Sequence, residues 1–294
     1  MVRIQKMSYN YKYCLDTSSK KFICPNCNKK TFVKFIENET NHYLNSTDGR
    51  CDRESKCGYF KKPTSNCITN INNCITEVIQ PSYHNRTVLQ EYCNTKQQSN
   101  FITYLLQHFN RKDVIKAINM YHIGTTNYWH GATIFWQIDT KKVIRGGKIM
   151  QYNCDTGKRV KVPFSHVSWI HRQLKIKNFV LQQCLFGLHN LPGISKDDTI
   201  CIVESEKTAI IMSIVIPNLL WLATGSKTGF KEQMLHPIKS YKIIAYPDKT
   251  VYNIWNKTAN FLNGRGYSIK CSSLLENINI DEGGDLIDYI NIKK

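Results

Sequence analysis

The chain has 294 residues, long enough for two domains and a small appended module. Its 40 Lys and Arg against 22 Asp and Glu give a formal charge of +18, a self-repulsion most useful against a polyanion such as nucleic acid. No apolar run approaches the roughly 20 residues that span a bilayer, and no secretory signal opens the chain, so no membrane partner and a cytoplasmic location are expected.

Twelve cysteines in a chain of this kind point to metal binding rather than a disulfide scaffold. Cys24-Pro-Asn-Cys27 forms one knuckle-like pair, and Cys51 with Cys57-Gly58 a second. Between them Thr31 to Ile36 and a polar turn read as a short hairpin. Four thiolates close a tetrahedral shell around Zn²⁺ and leave no open position, so a structural zinc ribbon is expected over residues 1–62. His42 lies between the pairs as an alternative ligand. The other eight cysteines, Cys67, Cys74 and Cys93 among them, show no ligand spacing and are expected as core thiols. Residues 63–86 read as a linker, from Pro63-Thr64-Ser65 to Pro81-Ser82, with little helical period.

From Asn100 the apolar residues recur at helical spacing, with Phe101, Leu105 and Phe109 on one face. A second helix is expected over Asp113 to Met120, with its Asp near the start. The period then shifts to two. Ala132–Asp139, Val143–Tyr152 and Arg159–Val162 read as strands, joined by turns at Asp139-Thr140-Lys141 and Asp155-Thr156-Gly157. Phe135 and Trp136 are adjacent and point to opposite faces, so one of them is expected in the core. The stretch carries Arg145, Lys148, Lys158, Arg159 and Lys161, then Trp169, His171 and Arg172. Cations on strands with interleaved aromatics suit a groove that tracks a phosphate backbone. Arg145, Lys148, Lys158, Arg159, Lys161 and Arg172 are therefore expected to bind single-stranded nucleic acid or nucleotides, with nucleoside triphosphates across Lys148 and Arg159.

Beyond residue 197, Thr199–Val203, Leu219–Ala223 and Tyr241–Tyr246 read as strands, with helices over Glu206–Ile214 and Thr250–Leu262. This alternation argues for a parallel sheet. Glu204 follows the first strand and Asp248 the third, while Asp285 and Asp288 sit in Gly-Gly-Asp-Leu-Ile-Asp at 283–288. Ligands of open α/β sheets bind beyond the carboxyl ends of strands. Glu204, Asp248 and Asp285 are expected to converge there, and clustered hard oxygen ligands suit Mg²⁺. The alternative is that these acids are helix caps and turn formers. Gly225-Ser226-Lys227-Thr228 echoes the end of a P-loop but lacks the preceding glycine, so no ATP motif is read there.

Cys-Ile-Val-Glu-Ser-Glu-Lys-Thr-Ala at 201–209, Tyr-Pro-Asp at 246–248 and the 283–288 turn, in this order and spacing, resemble the Toprim domain of bacterial primases, topoisomerases and some nucleases. Ile123-Gly124, Arg145-Gly146-Gly147-Lys148 and Leu185-Phe186-Gly187-Leu188-His189 resemble the basic RNA-polymerase-like subdomain that precedes Toprim in bacterial primases. With the ribbon ahead, the whole resembles a compact primase of mobile elements. That resemblance implies an α/β (α+β) fold: zinc ribbon 1–62, linker 63–86, basic mixed subdomain 87–196 and a Toprim-like domain with a parallel sheet over 197–294. It also implies Mg²⁺-dependent (or Mn²⁺-dependent) primer synthesis from nucleoside triphosphates on single-stranded DNA. The setting would be plasmid or mobile-element replication, with a replicative helicase in trans.

Under the same resemblance Glu204 is the family's leading glutamate, Asp248 the first acid of Asp-x-Asp, and Asp285 and Asp288 the later pair. Glu204, Asp248 and Asp285 are thereby implied as catalytic, and all four as Mg²⁺ ligands. Thr250 replaces the second acid of Asp-x-Asp, and Thr208 the acid four residues after Glu204, with Glu206 as a stand-in. Carboxylate charge is short for a two-metal site, so one Mg²⁺ is expected. An inactive Toprim DNA-binding module and a Toprim nuclease stay open as alternatives.

Overall fold

A computed structural model of the chain describes residues 13–63, apart from 17, 19, 38–39, 41 and 54–55, and residues 80–292, apart from 94–97. Most of the expected linker, with Cys67 and Cys74, lies outside the described residues. The chain divides into two compact units, Met1–Thr76 and Glu77–Lys294. No helix among the described residues is long and apolar enough to cross a membrane.

The first unit is an antiparallel ribbon. Strands β1 (Tyr13–Leu15), β2 (Phe22–Ile23), β3 (Lys30–Glu37), β4 (Gly49–Cys51) and β5 (Phe60–Lys61) pair in the order β1-β3-β4-β5, with β2 also beside β3. Its apolar centre is small, with Phe32 fully buried against Cys24 and Cys51. A core of that size needs a further staple to hold a fold. The knuckles supply the ligand positions: Asn28 N–H returns to Cys24 O at 3.0 Å, and Cys57 N–H to Arg53 O at 2.7 Å.

The second unit opens with α1 (Thr87–Cys93), α2 (Asn100–His108) and α3 (Arg111–Tyr121). Caps set the last two starts, since Ser99 Oγ accepts from Ile102 N–H and Asn110 Oδ1 from Lys112 N–H. Phe101 and Leu105 face inward as the period requires, and Phe109 closes the helix through its N–H to Leu105 O. An antiparallel sheet follows in sequential order: β6 (Gly124–Thr126), β7 (Ala132–Ile138), β8 (Ile144–Met150) and β9 (Val167–Trp169), after which comes the short α4 (Ile170–Gln173).

Two expectations change in this sheet. Arg159–Val162 is not a strand. Val167–Trp169 takes the free edge of β8, and the earlier segment keeps only a bridge between Arg159 and Tyr152. Phe135 and Trp136 are both fully buried, because the sheet is covered on both faces. Phe135 packs with Phe101, Leu105 and Phe186, while Trp136 packs with Val88, Ile134 and Ile170.

The rest of the chain builds a parallel sheet in the order β11-β10-β12-β13, from β10 (Thr199–Val203), β11 (Leu220–Ala223), β12 (Lys242–Tyr246) and β13 (Ser268–Cys271). Helices α5 (Glu206–Val215), α6 (Glu232–Leu235), α7 (Tyr252–Asn263) and α8 (Leu286–Ile292) alternate with or follow the strands. The fold is therefore mixed α/β, with an N-terminal antiparallel ribbon and a parallel sheet. Near-continuous apolar strands such as Thr-Ile-Cys-Ile-Val are what a sheet covered on both faces requires. Trp255 and Leu262 of α7 cover one face; α5 and α8 cover the other.

The two sheets share a core. Phe135 belongs to the same buried cluster as Val203, Ala209 and Trp221. Tyr121 donates to Trp221 O at 2.8 Å and stacks on Phe186 at 5.1 Å. Phe186 in turn forms an antiparallel bridge with Ala223 of β11.

Candidate functional site

Four thiols converge in the ribbon. Cys24 and Cys57 Sγ stand 3.7 Å apart and Cys27 and Cys51 Sγ 3.9 Å apart, and all four lie within 4.8 Å of one another. A tetrahedron with Zn–S bonds of about 2.3 Å has edges of about 3.8 Å, so the tetrad fits structural Zn²⁺ with no further ligand. His42 is exposed and takes no part in it. Burial pushes the Cys24 thiol up, whereas the Lys29 backbone N–H holds Cys27 low. Cys51 belongs to the end of β4 rather than to a turn, which accounts for the wider second spacing. Of the expected core thiols, Cys184 and Cys201 are buried and Cys93 is half-buried with its thiol donating to His122 O at 3.4 Å, whereas Cys14, Cys154 and Cys271 are only partly buried.

The acids gather at one edge of the parallel sheet. Val203 of β10 and Tyr246 of β12 are register partners, so Glu204 and Asp248 leave the sheet at the same end of neighbouring strands. Asp285 is brought in by a turn-to-turn clasp. Lys249 N–H bonds Gly284 O at 2.9 Å, and Gly283 N–H bonds Lys249 O at 3.2 Å. Gly284 leaves no room for a side chain, since a Cβ would sit 2.9 Å from Ile280 Cδ1 and 3.0 Å from Asp281 O. Asp285 then opens α8 as part of a reciprocal cap. Its Oδ1 accepts from Ile287 and Asp288 N–H, and Asp288 Oδ2 accepts from Asp285 N–H. The expected turn acids are thus also helix-capping acids. Thr208 Oγ1 donates to the other Asp285 oxygen at 2.6 Å.

The charges respond to this crowding. Burial, then Glu204, Asp285 and Asp288, push Asp248 up to about 8, with Lys207 opposing. Burial also raises Glu204, against the Lys227 backbone N–H and the charges of Lys148 and Lys227. No protein donor reaches the Asp248 carboxylate among the described residues. The donor set suits Mg²⁺, which binds a few carboxylates and keeps water ligands. It is not a closed cage: among the described residues, no three of these acids bring ligand oxygens within 4.8 Å of one another.

The basic residues divide into two groups. Arg145 and Lys148 turn inward. Arg145 is held by Asp139 at 2.8 Å and by Gln182. Lys148 Nζ bonds both Glu206 oxygens at 3.1 and 3.2 Å and Gly225 O at 2.7 Å. Glu206 is therefore engaged by Lys148 and is not a spare acid. Lys158, Arg159, Lys161 and Arg172 are exposed. The turn carrying Lys158 lies near the acids: Gly157 packs on Tyr104, whose hydroxyl is raised by burial and by the charges of Asp285 and Asp288. Tyr104, Lys207 and Glu276 were not singled out as site residues from sequence, and Lys227 entered there only as part of the discarded P-loop echo. Glu276 reaches Thr250 N–H at 2.8 Å, so a carboxylate does stand beside position 250, supplied from a distant segment. Nothing local in the sequence marks that pairing.

A model of a domain of unknown function, DUF6371, matches residues 99–249, just over half of the chain. The chain belongs to the DUF6371 family. The family segment runs from the cap of α2 through the antiparallel sheet and the first three strands of the parallel sheet to the residue after Asp248. A zinc beta-ribbon finger model matches residues 11–72 of this DUF6371 protein. No curated protein matches it. Among solved structures, it is similar to the RNA polymerase domain of Mycobacterium tuberculosis primase DnaG, at 11% identity and TM-score 0.47, over 70% of this chain and 77% of that one. The E. coli primase catalytic core matches at 14% identity and TM-score 0.46, over 70% and 74%. The primase fragment of the bacteriophage T7 primase-helicase protein matches at 12% identity and TM-score 0.43, over 93% and 96%.

Proposed function

We propose that this DUF6371 protein is a primase-like nucleotidyltransferase that joins nucleoside triphosphates on a single-stranded DNA template with Mg²⁺ or Mn²⁺. The carrying observation is Asp248: a largely buried carboxylate without a protein donor, crowded by acids at the end of parallel strands. A divalent ion bound there would offset the burial and repulsion that raise its pKa. The order of ribbon, basic sheet and acidic Toprim-like sheet supports primer synthesis over other polynucleotide chemistry.

Glu204, Asp248 and Asp285 would hold the ion, with Asp288 behind Asp285. Bound there, the ion supplies charge neutralisation at the reacting phosphate and the departing pyrophosphate, which phosphoryl transfer chiefly needs. Glu204, made more basic by burial, is placed to take the proton from the attacking 3′-hydroxyl. The oxygen then bonds the α-phosphorus as the bond to pyrophosphate breaks. Exposed Lys158, Arg159 and Lys161 bind template phosphates. The setting in keeping with this reading is replication of a plasmid or mobile element, with a helicase supplied in trans.

One observation favours a second reading, an inactive DNA-binding module: both Asp285 oxygens already accept protein hydrogen bonds. Incorporation of labelled nucleotides on single-stranded DNA separates the two. The primase reading expects Mg²⁺-dependent products that Glu204→Gln and Asp248→Asn abolish while DNA binding stays. No product with either metal leaves the binding module, and template cleavage instead of synthesis identifies a nuclease.

A further inference from the structure

Away from the acids, two segments place aromatic rings on one patch of surface. After β6, the Tyr128 and Trp129 rings stand 4.4 Å apart. The loop after β8 adds Phe164 and His166, stacked at 4.3 Å. Trp129 meets His166 edge-on at 5.0 Å and Phe164 at 6.3 Å. Phe164 keeps 54% of its surface exposed and neighbouring Val162 80%. Neither Tyr128 nor Phe164 belongs to a core cluster, so packing gives no reason for them.

The backbone holds this arrangement against resistance. Trp129 and His130 have φ of 57° and 58°, followed by Gly131 at 97°. Side-chain-bearing residues enter this left-handed region at a steric cost, and such strain persists where the surroundings enforce it, often at binding sites. Gln151 Nε2 enforces it here with a 2.7 Å bond to Trp129 O. His166 N–H closes the second loop on Val160 O, so Lys161, Val162 and Phe164 sit at its tip.

The surroundings are cationic to an unusual degree. Between Asp155 and Asp197 the sequence has no acid, while Lys158, Arg159, Lys161, Arg172, Lys175 and Lys177 all fall there and are exposed. Gln173 bonds Thr126 Oγ1 at 3.0 Å and so fixes the helix of Arg172 beside the aromatic loop. Exposed ring faces among cations match a polyanion that also offers flat apolar faces. Single-stranded nucleic acid has both, whereas a duplex keeps its base faces stacked internally.

We propose that Tyr128, Trp129, Phe164 and His166 form a shelf on which the bases of a single strand stack, while Lys158, Arg159 and Lys161 hold its phosphates. The inference rests on the reading that the template is single-stranded, and adds where and by what contact it is held. Gly157 packs the cationic loop on Tyr104 of α2.

The test compares full-length protein binding to oligo(dT) and to an abasic oligomer of equal length. Stacking predicts that oligo(dT) binds at least about fivefold tighter, and that Phe164→Ala and Trp129→Leu each weaken it about 5- to 100-fold. Neither variant should change the salt slope, because every cation that meets a phosphate is still present. Phe164→Tyr should retain binding. Phe164 is exposed, so its removal does not endanger folding. Equal affinity for the two oligomers, or unchanged oligo(dT) affinity in Phe164→Ala, overturns the shelf. Base-dependent binding without nucleotide incorporation keeps the shelf and removes the primase reading. Incorporation with base-independent binding does the reverse, and a protein that binds neither oligomer loses both.

Discussion

Thr208 Oγ1 donates to Asp285 Oδ2 at 2.6 Å, tying the helix after Glu204 to the turn that carries the later acids. Thr208 stands where the resembled family places an acid. A third carboxylate at this point would repel Asp285, whereas a hydroxyl binds and orients it. Position 208 thus positions an acid instead of supplying one. Thr208→Val keeps the shape and removes the donor, and should lower unfolding free energy by about 1–2 kcal/mol in urea titration. A variant as stable as wild type would show that water satisfies Asp285 equally well.

The cysteine tetrad should bring one zinc per chain through purification without chelator, measured by elemental analysis. Structural zinc supplies roughly 10–16 kcal/mol to small modules, so strong chelation should unfold the ribbon. The second unit has its own core and should keep its far-UV signal. A metal-free ribbon with intact structure would contradict the tetrad's role.

Asp248 titrates near 3.9 in an unfolded chain and at about 8 in the folded one. Between these values the folded protein holds the extra proton, so stability falls as pH rises from about 4 to about 8. Asp248→Asn removes that dependence. Its melting temperature should exceed that of wild type at pH 8, by an amount corresponding to about 1–3 kcal/mol, and the gap should close towards pH 4. Mg²⁺ should raise the wild-type value at pH 8 and leave the variant unmoved. Parallel pH curves for the two proteins would refute the crowding.

Lys148 and Glu206 form an ion pair with side chains 12% and 2% exposed, between β8 and the first turn of α5. Lys148→Met leaves the Glu206 carboxylate buried and unpaired, which should cost about 3–5 kcal/mol in denaturant unfolding. Adding Glu206→Leu should recover most of the loss. A double variant no better than the single one would mean that Lys148 acts mainly through Gly225 O.

Replacing Lys158, Arg159 and Lys161 together should weaken single-strand binding and flatten its salt dependence by up to about 0.7 for each phosphate no longer neutralised. An unaltered slope would move the phosphate track away from this loop.

What was legible in the sequence follows from range. Thr199–Val203 was readable to the residue because five apolar-rich positions must be a strand when a helix follows one turn later. The tetrad was readable because its ligand spacing is local within each pair. Val167–Trp169 was missed because its strand identity comes from the vacant edge of β8, not from its own pattern. The burial of both Phe135 and Trp136 was invisible for a similar reason, as helices and a second sheet contributed by other segments cover the two faces. The pairing of Arg145 and Lys148 within the protein was not legible, because a sequence shows charges without their partners. Asp139 and Glu206, six and 58 residues away, are those partners.

The bridge between Phe186 and Ala223 guards the outer side of β11. Phe186 N–H bonds Ala223 O at 2.9 Å and Ala223 N–H returns to Phe186 O at 3.2 Å. An uncovered strand edge is a template for pairing with another molecule. A fragment begun at residue 197 would lose this guard together with Tyr121 and Phe135, and should self-associate through β11. The acid-bearing sheet therefore depends on the preceding segment to remain monodisperse, and the two are best expressed as one piece.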